Sequence, residues 1–161
     1  AVTVVRRSTL TLPAGNYGRV VVEQGATLVL SGGLYQLQSL ELAQQASVRF
    51  QAASEVRVAT ELRTAAKAKL ILDQSIAGLR ASDVVFYVAG GNTGGAEADE
   101  DGDDWDAAVV RIGEQNVVQA NIYAAHGGVR VKAKTHVTGA LIGGRVDVGA
   151  RAKLTRDSAV R

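Results

Sequence analysis

The residues with the clearest capacity for chemistry in this chain form an acidic run at positions 97–106. The run holds seven of the 16 acidic residues of the sequence. Alternate carboxylates at Asp99, Asp101 and Asp103, followed by another at Asp106, are typical of an oxygen-rich loop that wraps a hard cation such as Ca²⁺. The usual calcium loop has glycine in sixth place, whereas here it stands fourth. The run therefore indicates a calcium site, and the alternative is a solvated loop that charge repulsion keeps extended.

A second chemically capable group is a set of cations near position 130. Arg130, Lys132 and Lys134 alternate with small apolar residues, so we expect the cations on the outer face of one strand. In coils stacked about 4.8 Å apart they would align with earlier cations in one stripe. Those earlier cations are Arg49, Arg57 and Arg63. The stripe would bind an acidic polysaccharide or the acidic loop of a neighbouring copy, and ordinary solubilising charge is the alternative.

Residues for catalysis are scarce and scattered. The carboxylates outside the acidic run are single, and nothing fixes two of them at the separation that glycoside hydrolysis requires. His126 and His136 are the only histidines, and neither has a further ligand or acid at a fixed offset. The chain has no Gly-x-Ser-x-Gly elbow and no cysteine. The sequence thus predicts a protein that is not an enzyme, and a polysaccharide-active enzyme is the remaining catalytic alternative.

The distribution of charge limits which classes of partner the protein is expected to bind. The net charge is +2, but without the acidic run the chain has 18 basic and 9 acidic residues, a net charge of +9. The cations are dispersed and aromatic residues make up only 4%, which argues against nucleic acid. No apolar run reaches the roughly 18 residues of a membrane span. The chain begins at Ala1 without methionine, which predicts removal of an export signal, and a truncated chain is the alternative.

Short apolar pairs supply the elements that must carry these groups. A spacing of two places both side chains of a pair on one face of a strand. Several neighbouring pairs begin eight residues apart, as at positions 40, 48 and 56. Small residues mark turns between pairs, for example Gly127-Gly128 and Gly143-Gly144. The predicted core is Val20, Val22, Leu28, Leu30, Leu40, Leu42, Val48, Phe50, Val56, Val58, Leu70, Leu72, Val84, Phe86, Val88, Ile112, Ile122, Val129, Val131, Val146 and Val148.

Strands this short suit a solenoid, in which each coil covers the apolar face of its neighbours. The predicted fold is all-β, a right-handed parallel β-helix (β-solenoid) of about six to eight coils with roughly 20 residues each. An antiparallel sandwich or barrel is the alternative, although no Asn-Gly or Asp-Gly hairpin signal joins two strands. Residues 1–161 are expected to form a single domain, from which an acidic, glycine-rich loop at 91–107 protrudes.

Several stretches follow one another in a recognisable order along nearly the whole chain. They are Leu12-Pro13-Ala14-Gly15-Asn16-Tyr17, Leu28-Val29-Leu30-Ser31-Gly32-Gly33-Leu34-Tyr35, Leu40-Glu41-Leu42, Val85-Phe86-Tyr87-Val88-Ala89-Gly90, Ala120-Asn121-Ile122-Tyr123-Ala124-Ala125, Thr138-Gly139-Ala140-Leu141-Ile142-Gly143 and Val146-Asp147-Val148. Together they resemble the right-handed β-helix domains of bacterial exported proteins, of the pilus-associated and choice-of-anchor type. The resemblance implies a secreted or surface-exposed scaffold without an assigned active site. A weaker similarity links the Val-x-Val coils to bacterial cytoskeletal solenoids that polymerise end to end.

The two ends of the predicted solenoid indicate association. Natural solenoids must cap their exposed backbone edges or use them. Val2, Val4 and Val5 form a β-prone segment, and coil spacing continues to Leu154 without an amphipathic capping helix. The sequence therefore predicts a structural protein, secreted or at the cell surface, that forms a homo-oligomer or filament through these ends and through complementary charge. The alternative is an adhesin module that binds a surface polysaccharide or another polyanion.

Overall fold

The alternation of apolar and outward-facing residues produces short strands throughout the described chain. The computed structural model describes residues 1–90 and 108–155. In these ranges the chain forms strands and one 3-10 turn at Ala81–Asp83, with no α-helix. The strands are β1 (Val2–Val4), β2 (Thr9–Leu12), β3 (Gly15–Val22), β4 (Thr27–Leu30), β5 (Gly33–Leu42), β6 (Ser47–Phe50), β7 (Ser54–Val58), β8 (Leu62–Thr64), β9 (Lys69–Leu72), β10 (Val84–Val88), β11 (Ala108–Ile112), β12 (Val117–Gln119), β13 (Asn121–Val131), β14 (His136–Thr138), β15 (Leu141–Val148) and β16 (Lys153–Thr155).

The strands pair in parallel and form a β-solenoid of about seven turns, which confirms the predicted β-helix fold. Strand β5 shows how a turn is built, since its first half pairs with β7 and its second half with β8. The long strands therefore bend and cover two sides of the coil. Side one comprises β7, β10 and the first halves of β3, β5, β13 and β15, and side two comprises β1, β8, β11 and the second halves of the same four strands. Side three is the seven-stranded sheet of β2, β4, β6, β9, β12, β14 and β16.

A corner of constant length joins side two to side three. Val20 pairs with Leu40 on side two, and Thr27 pairs with Ser47 on side three, so the two sides are seven positions apart in both turns. Two positions before side three, the backbone is left-handed in every corner, with φ between 55° and 70°. The residues at this position are Arg7, Gly25, Gln45, Lys67, Gln115, Lys134 and Arg151. The N–H groups of the first six donate to carbonyls of the next turn, as Gln45 does to Ala66 at 3.1 Å, so the corners stack in a regular column.

The inward positions of all three sides form one apolar core. Most of the predicted core is confirmed, since every member except Leu72, Val146 and Val148 is buried. Leu72 is half-buried. The prediction for Val146 and Val148 is wrong, because they are 38% and 41% exposed. Both residues have inward register, pairing with the buried Val129 and Val131, but no described strand lies beyond β15 to cover them.

Two predicted turns are bends inside strands. Gly127-Gly128 lies within β13 and Gly143-Gly144 within β15, where each strand passes from side one to side two. The register between the two strands shifts at this bend. A Cβ atom on Gly143 would lie 3.1 Å from a methyl group of Val129. Gly127 and Gly143 are therefore explained by close packing against valine side chains of neighbouring strands rather than by a turn.

The predicted protruding loop at 91–107 lies outside the described residues. The described chain leaves side one at the end of β10 and returns on side two at the start of β11. These two strands belong to the same turn, because β10 pairs with β13 on side one and β11 pairs with β13 on side two. The segment is thus inserted between two sides of the fifth turn.

Candidate functional site

Three arginines stack in register on the outer surface of side two. Arg63 in β8 pairs with Arg111 in β11, and Arg111 pairs with Arg130 in β13. Neighbouring strands of a sheet lie about 4.8 Å apart. Carboxylates flank the three at either end, since Glu41 pairs with Arg63 and Asp147 pairs with Arg130. We call Arg63, Arg111 and Arg130 the arginine row.

Each arginine of the row points outward because both of its neighbours in the strand point inward. Leu62 and Thr64 flank Arg63 and are buried. The other two arginines lie in the same way between the buried pairs Val110/Ile112 and Val129/Val131. Like charges placed directly opposite each other destabilise a sheet. Strand stability alone would therefore not select such a row.

The arginine row borders a groove of about 750 Å³. Charged residues that line it are Arg63, Arg111, Arg130, Lys132, Arg145, Glu114 and Asp147. Among the lining residues that the structure describes, cations thus outnumber carboxylates by five to two. The Nε atom of Arg145 lies 3.1 Å from Oδ2 of Asp147, and Nε of Arg111 donates to the Ala108 carbonyl at 3.2 Å. These contacts orient two guanidinium groups, and the five N–H donors of an arginine allow several contacts at once.

Two of the three predicted binding cations line this groove. Arg130 lies in β13, and Lys132 directly follows the last residue of that strand. Lys134 is not among the lining residues and occupies the left-handed position of the corner, with φ of 60°. The prediction that all three cations share one strand face is wrong, because the strand ends at Val131 and the corner begins there.

The predicted stripe also has different members from those expected. Arg49 lies in β6 on side three, and Arg57 lies in β7 on side one. Neither can align with Arg130 on side two. Of the earlier cations, only Arg63 belongs to the row, so the prediction is wrong for the other two.

Sequence analysis missed two cations of the groove, Arg111 and Arg145. A signal for Arg111 was present, because it stands between Val110 and Ile112 in the same way that Arg130 stands between two valines. The signal could not decide the position in space, since Arg57 also stands between two valines and lies on another side. Arg145 follows the glycine bend of β15 and has no such pattern.

A second exposed feature lies on side one. The rings of Tyr87 and Tyr123 stack with centroids 5.4 Å apart and planes inclined by 19°. The two residues are strand partners, and Tyr87 is 45% exposed. Arg57 and Ile142 continue the same row on either side. The row presents a flat, largely apolar strip to the surroundings.

The predicted calcium ligands Asp99, Asp101, Asp103 and Asp106 lie outside the described residues. Within residues 1–90 and 108–155, no group of three or more His, Cys, Asp or Glu side chains is placed to hold a metal ion. The exposed carboxylate of Asp73 accepts hydrogen bonds from the hydroxyl and the backbone N–H of Ser75, at 2.7 and 3.0 Å. These bonds lower the pKa of Asp73. A lowered pKa does not suit a general acid, so we interpret the hydrogen bonds between Asp73 and Ser75 as contacts that stabilise a turn.

The predicted assembly residues lie in the first and last turns. Val2 and Val4 belong to β1 and pair with Val20 and Val22, so both follow the inward register. Val4 is buried and Val2 is half-buried. The other two predicted residues are exposed, Val5 in the first corner and Leu154 in β16.

In the part of the chain that the structure describes, no helix has the length and apolar character to cross a membrane. No protein-family model matches the chain, and neither a curated protein nor a solved structure matches it significantly. The resemblance to exported β-helix domains therefore rests on the sequence motifs and on the fold. The observed strand pairings show that the architecture of the chain is a parallel β-solenoid.

Proposed function

We propose that this protein is a non-catalytic structural module of the bacterial cell surface that assembles with copies of itself end to end. The observation that carries the proposal is the exposure of core positions in both end turns. Leu154 is 51% exposed although it stacks on the buried Val137. Leu10 is 37% exposed although it stacks on the buried Leu28. Each end of the described solenoid thus presents an apolar surface that a further turn would cover.

The two end turns also match in register. Side two and side three are seven positions apart in the last turn, as Val146 and Lys153 show, and likewise in the first turn, as Val2 and Thr9 show. The corners between them have the same left-handed position. The first turn of one copy can therefore stack on the last turn of another as the next rung. In that arrangement Val2 would stack on Val146 and Leu10 on Leu154, while Val4, which is already buried, would lie in register with Val148.

The head-to-tail contact between two copies is expected to lower the free energy, and it leaves one end of each copy available for a further copy. Full burial of a valine or leucine side chain contributes about 1.5–3 kcal/mol. The end residues are only partly exposed, so covering each of them would contribute a part of this energy. New backbone hydrogen bonds would form along the outer edges of β15 and β16, which pair on one side only in the described residues. A head-to-tail contact between two different surfaces does not close, and so it produces a filament.

One further observation supports the location in this proposal. The resemblance of the ordered motifs to exported β-helix domains supports a secreted or surface location.

Sedimentation velocity and negative-stain microscopy test the proposal with matched variants. We expect the wild-type protein to form elongated oligomers as its concentration rises. Leu154→Arg should give monomers, because an arginine at this position places a charge in the apolar contact. Leu34→Arg is the control, since Leu34 is 40% exposed on the lateral surface of β5 and undergoes the same chemical change away from the ends. It should assemble like the wild type.

Mixing two blocked variants tests the head-to-tail geometry itself. Leu10→Arg blocks the first turn and Leu154→Arg blocks the last, so each variant alone should remain monomeric. An equimolar mixture should contain dimers and nothing larger, because only one intact pair of ends is available. A wild-type protein that stays monomeric at high concentration contradicts the proposal. So does a Leu34→Arg variant that dissociates as fully as Leu154→Arg.

A further inference from the structure

We infer that the groove over the arginine row binds a linear acidic polysaccharide that runs along the solenoid axis. The groove runs along side two and reaches Val148 in the last turn, whereas the proposal of assembly rests on the exposed core positions of both end turns, so the two functions stand on different observations. The lining comes from four successive turns, since it includes Arg63, Arg111, Arg130 and Arg145. A ligand that contacts all four must extend across the strands.

The spacing of the row favours a polymer with regularly repeated anionic groups. Successive strands lie about 4.8 Å apart, which is close to the repeat of one sugar residue along a linear polysaccharide. Planar guanidinium groups bind carboxylate or sulfate through two parallel hydrogen bonds. One acidic group per sugar can therefore meet one arginine per turn.

The carboxylates of the groove favour a polysaccharide over a plain polyanion. Glu114 and Asp147 also line the groove. A carboxylate repels an anionic group but accepts hydrogen bonds from hydroxyl groups. A polysaccharide has hydroxyl groups between its anionic groups, so it satisfies both kinds of lining residue. Among the described lining residues the cations remain in excess, which favours association with an anionic polymer.

The composition of the groove argues against single-stranded nucleic acid. Its lining, taken over the described residues, contains no Phe, Tyr or Trp. Proteins that bind single strands combine cations with aromatic rings on which the bases stack. The stacked tyrosines of side one lie on a different side from the arginine row. Bases of a strand in the groove would therefore find cations but no stacking platform.

Binding measurements with defined polymers test the inference. Isothermal titration would use polygalacturonate as the carboxylate probe, dextran sulfate as the sulfate probe, neutral dextran and single-stranded DNA. We expect binding of at least one acidic polysaccharide, none of neutral dextran, and weaker binding of DNA of equal charge. The affinity should fall as salt rises, because the contacts are ionic. Repeating the titrations with Leu154→Arg separates this site from assembly, since a monomer has no avidity from linked copies.

A charge-matched pair of triple variants locates the site. Arg63→Gln/Arg111→Gln/Arg130→Gln should lower the affinity about ten- to a hundredfold, a range expected for three ion contacts. Arg49→Gln/Arg57→Gln/Lys69→Gln removes the same charge from sides one and three and should change the affinity less than about threefold. The single variant Arg130→Gln is measured too and should lower the affinity in the same direction, so that the test survives if the first triple fails to fold.

Three outcomes would overturn the inference. Equal losses in the two triple variants would mean that net charge, and not the groove, governs binding. Tighter binding of single-stranded DNA than of either acidic polysaccharide would assign the groove to nucleic acid. Absence of binding to both acidic polysaccharides at low salt would remove the site. None of these results would bear on the sedimentation of the wild-type protein, which tests assembly separately.

Discussion

Replacing Asn116 by alanine should destabilise the solenoid at its fifth corner. The side-chain amide of Asn116 donates to the carbonyls of Ala65 and Glu114 at 2.9 Å each, and its Oδ1 accepts from the Thr64 hydroxyl at 2.6 Å. Asn116 and Thr64 are both buried. Earlier turns have a buried alanine at the same place in the corner, namely Ala26, Ala46 and Ala68. An alanine therefore fits the shape of the corner. The loss of stability arises because the hydrogen-bond partners of Asn116 lose their donor or acceptor.

The magnitude follows from how well water can replace each lost bond. The Thr64 hydroxyl is buried, and loss of its acceptor costs about 1–3 kcal/mol. The carbonyls of Ala65 and Glu114 belong to less buried residues, so each loss costs about 0.5 kcal/mol. The free energy of unfolding should thus fall by about 2–4 kcal/mol. For a chain of this size each kcal/mol lowers Tm by roughly 2–4 °C, so Tm should fall by about 4–16 °C.

Thermal and denaturant unfolding followed by circular dichroism measure this change, and a double variant tests the cause. Thr64→Val/Asn116→Ala removes both partners and introduces valine, the residue that Val22 and Val131 place at the same position of other turns. The loss in free energy of unfolding of the double variant should be about 1 kcal/mol smaller than the sum of the losses of the two single variants. One cost remains, because the Gly113 N–H donates to the Thr64 hydroxyl. Strict additivity, or a Tm of Asn116→Ala within about 2 °C of the wild type, would refute the reasoning.

Two further predictions concern the corners and the acidic run. Lys67 has φ of 60°, and Gly25 takes the same corner position in an earlier turn. The free energy of unfolding of Lys67→Gly should therefore stay within about 1 kcal/mol of the wild-type value. Lys67→Val should lose about 1–2 kcal/mol more, because a β-branched residue disfavours this conformation. Equal denaturation midpoints for these two variants would contradict that account. Calorimetric titration with Ca²⁺ should show binding that Asp101→Ala/Asp103→Ala weakens by at least about tenfold, and identical heats from the two proteins would remove the calcium hypothesis.

The fold was accessible from the sequence because inward and outward residues alternate within each strand. Pairs such as Val20/Val22 and Leu40/Leu42 are apolar at a spacing of two, and both pairs are buried. A strand that short has no stable partner except the next coil, which made the solenoid the expected architecture. The binding site was less accessible. Arg130 was identified, but its row partner Arg111 was missed, because a cation between two apolar residues can lie on any side of the solenoid, as Arg57 does on side one.

The sequence by itself determined which residues face inward and that the strands must be stacked, since the period of two is a local property of an extended backbone. Only the tertiary structure decided which strands are neighbours. Arg57 and Arg63 have similar surroundings in the sequence, yet Arg57 stacks on Tyr87 and Arg63 on Arg111. That difference arises from the number of residues each turn contains, which sets the register between turns. Position in the last described turn left Val146 and Val148 exposed despite their inward register, because burial in a solenoid depends on the following turn and not on the strand itself.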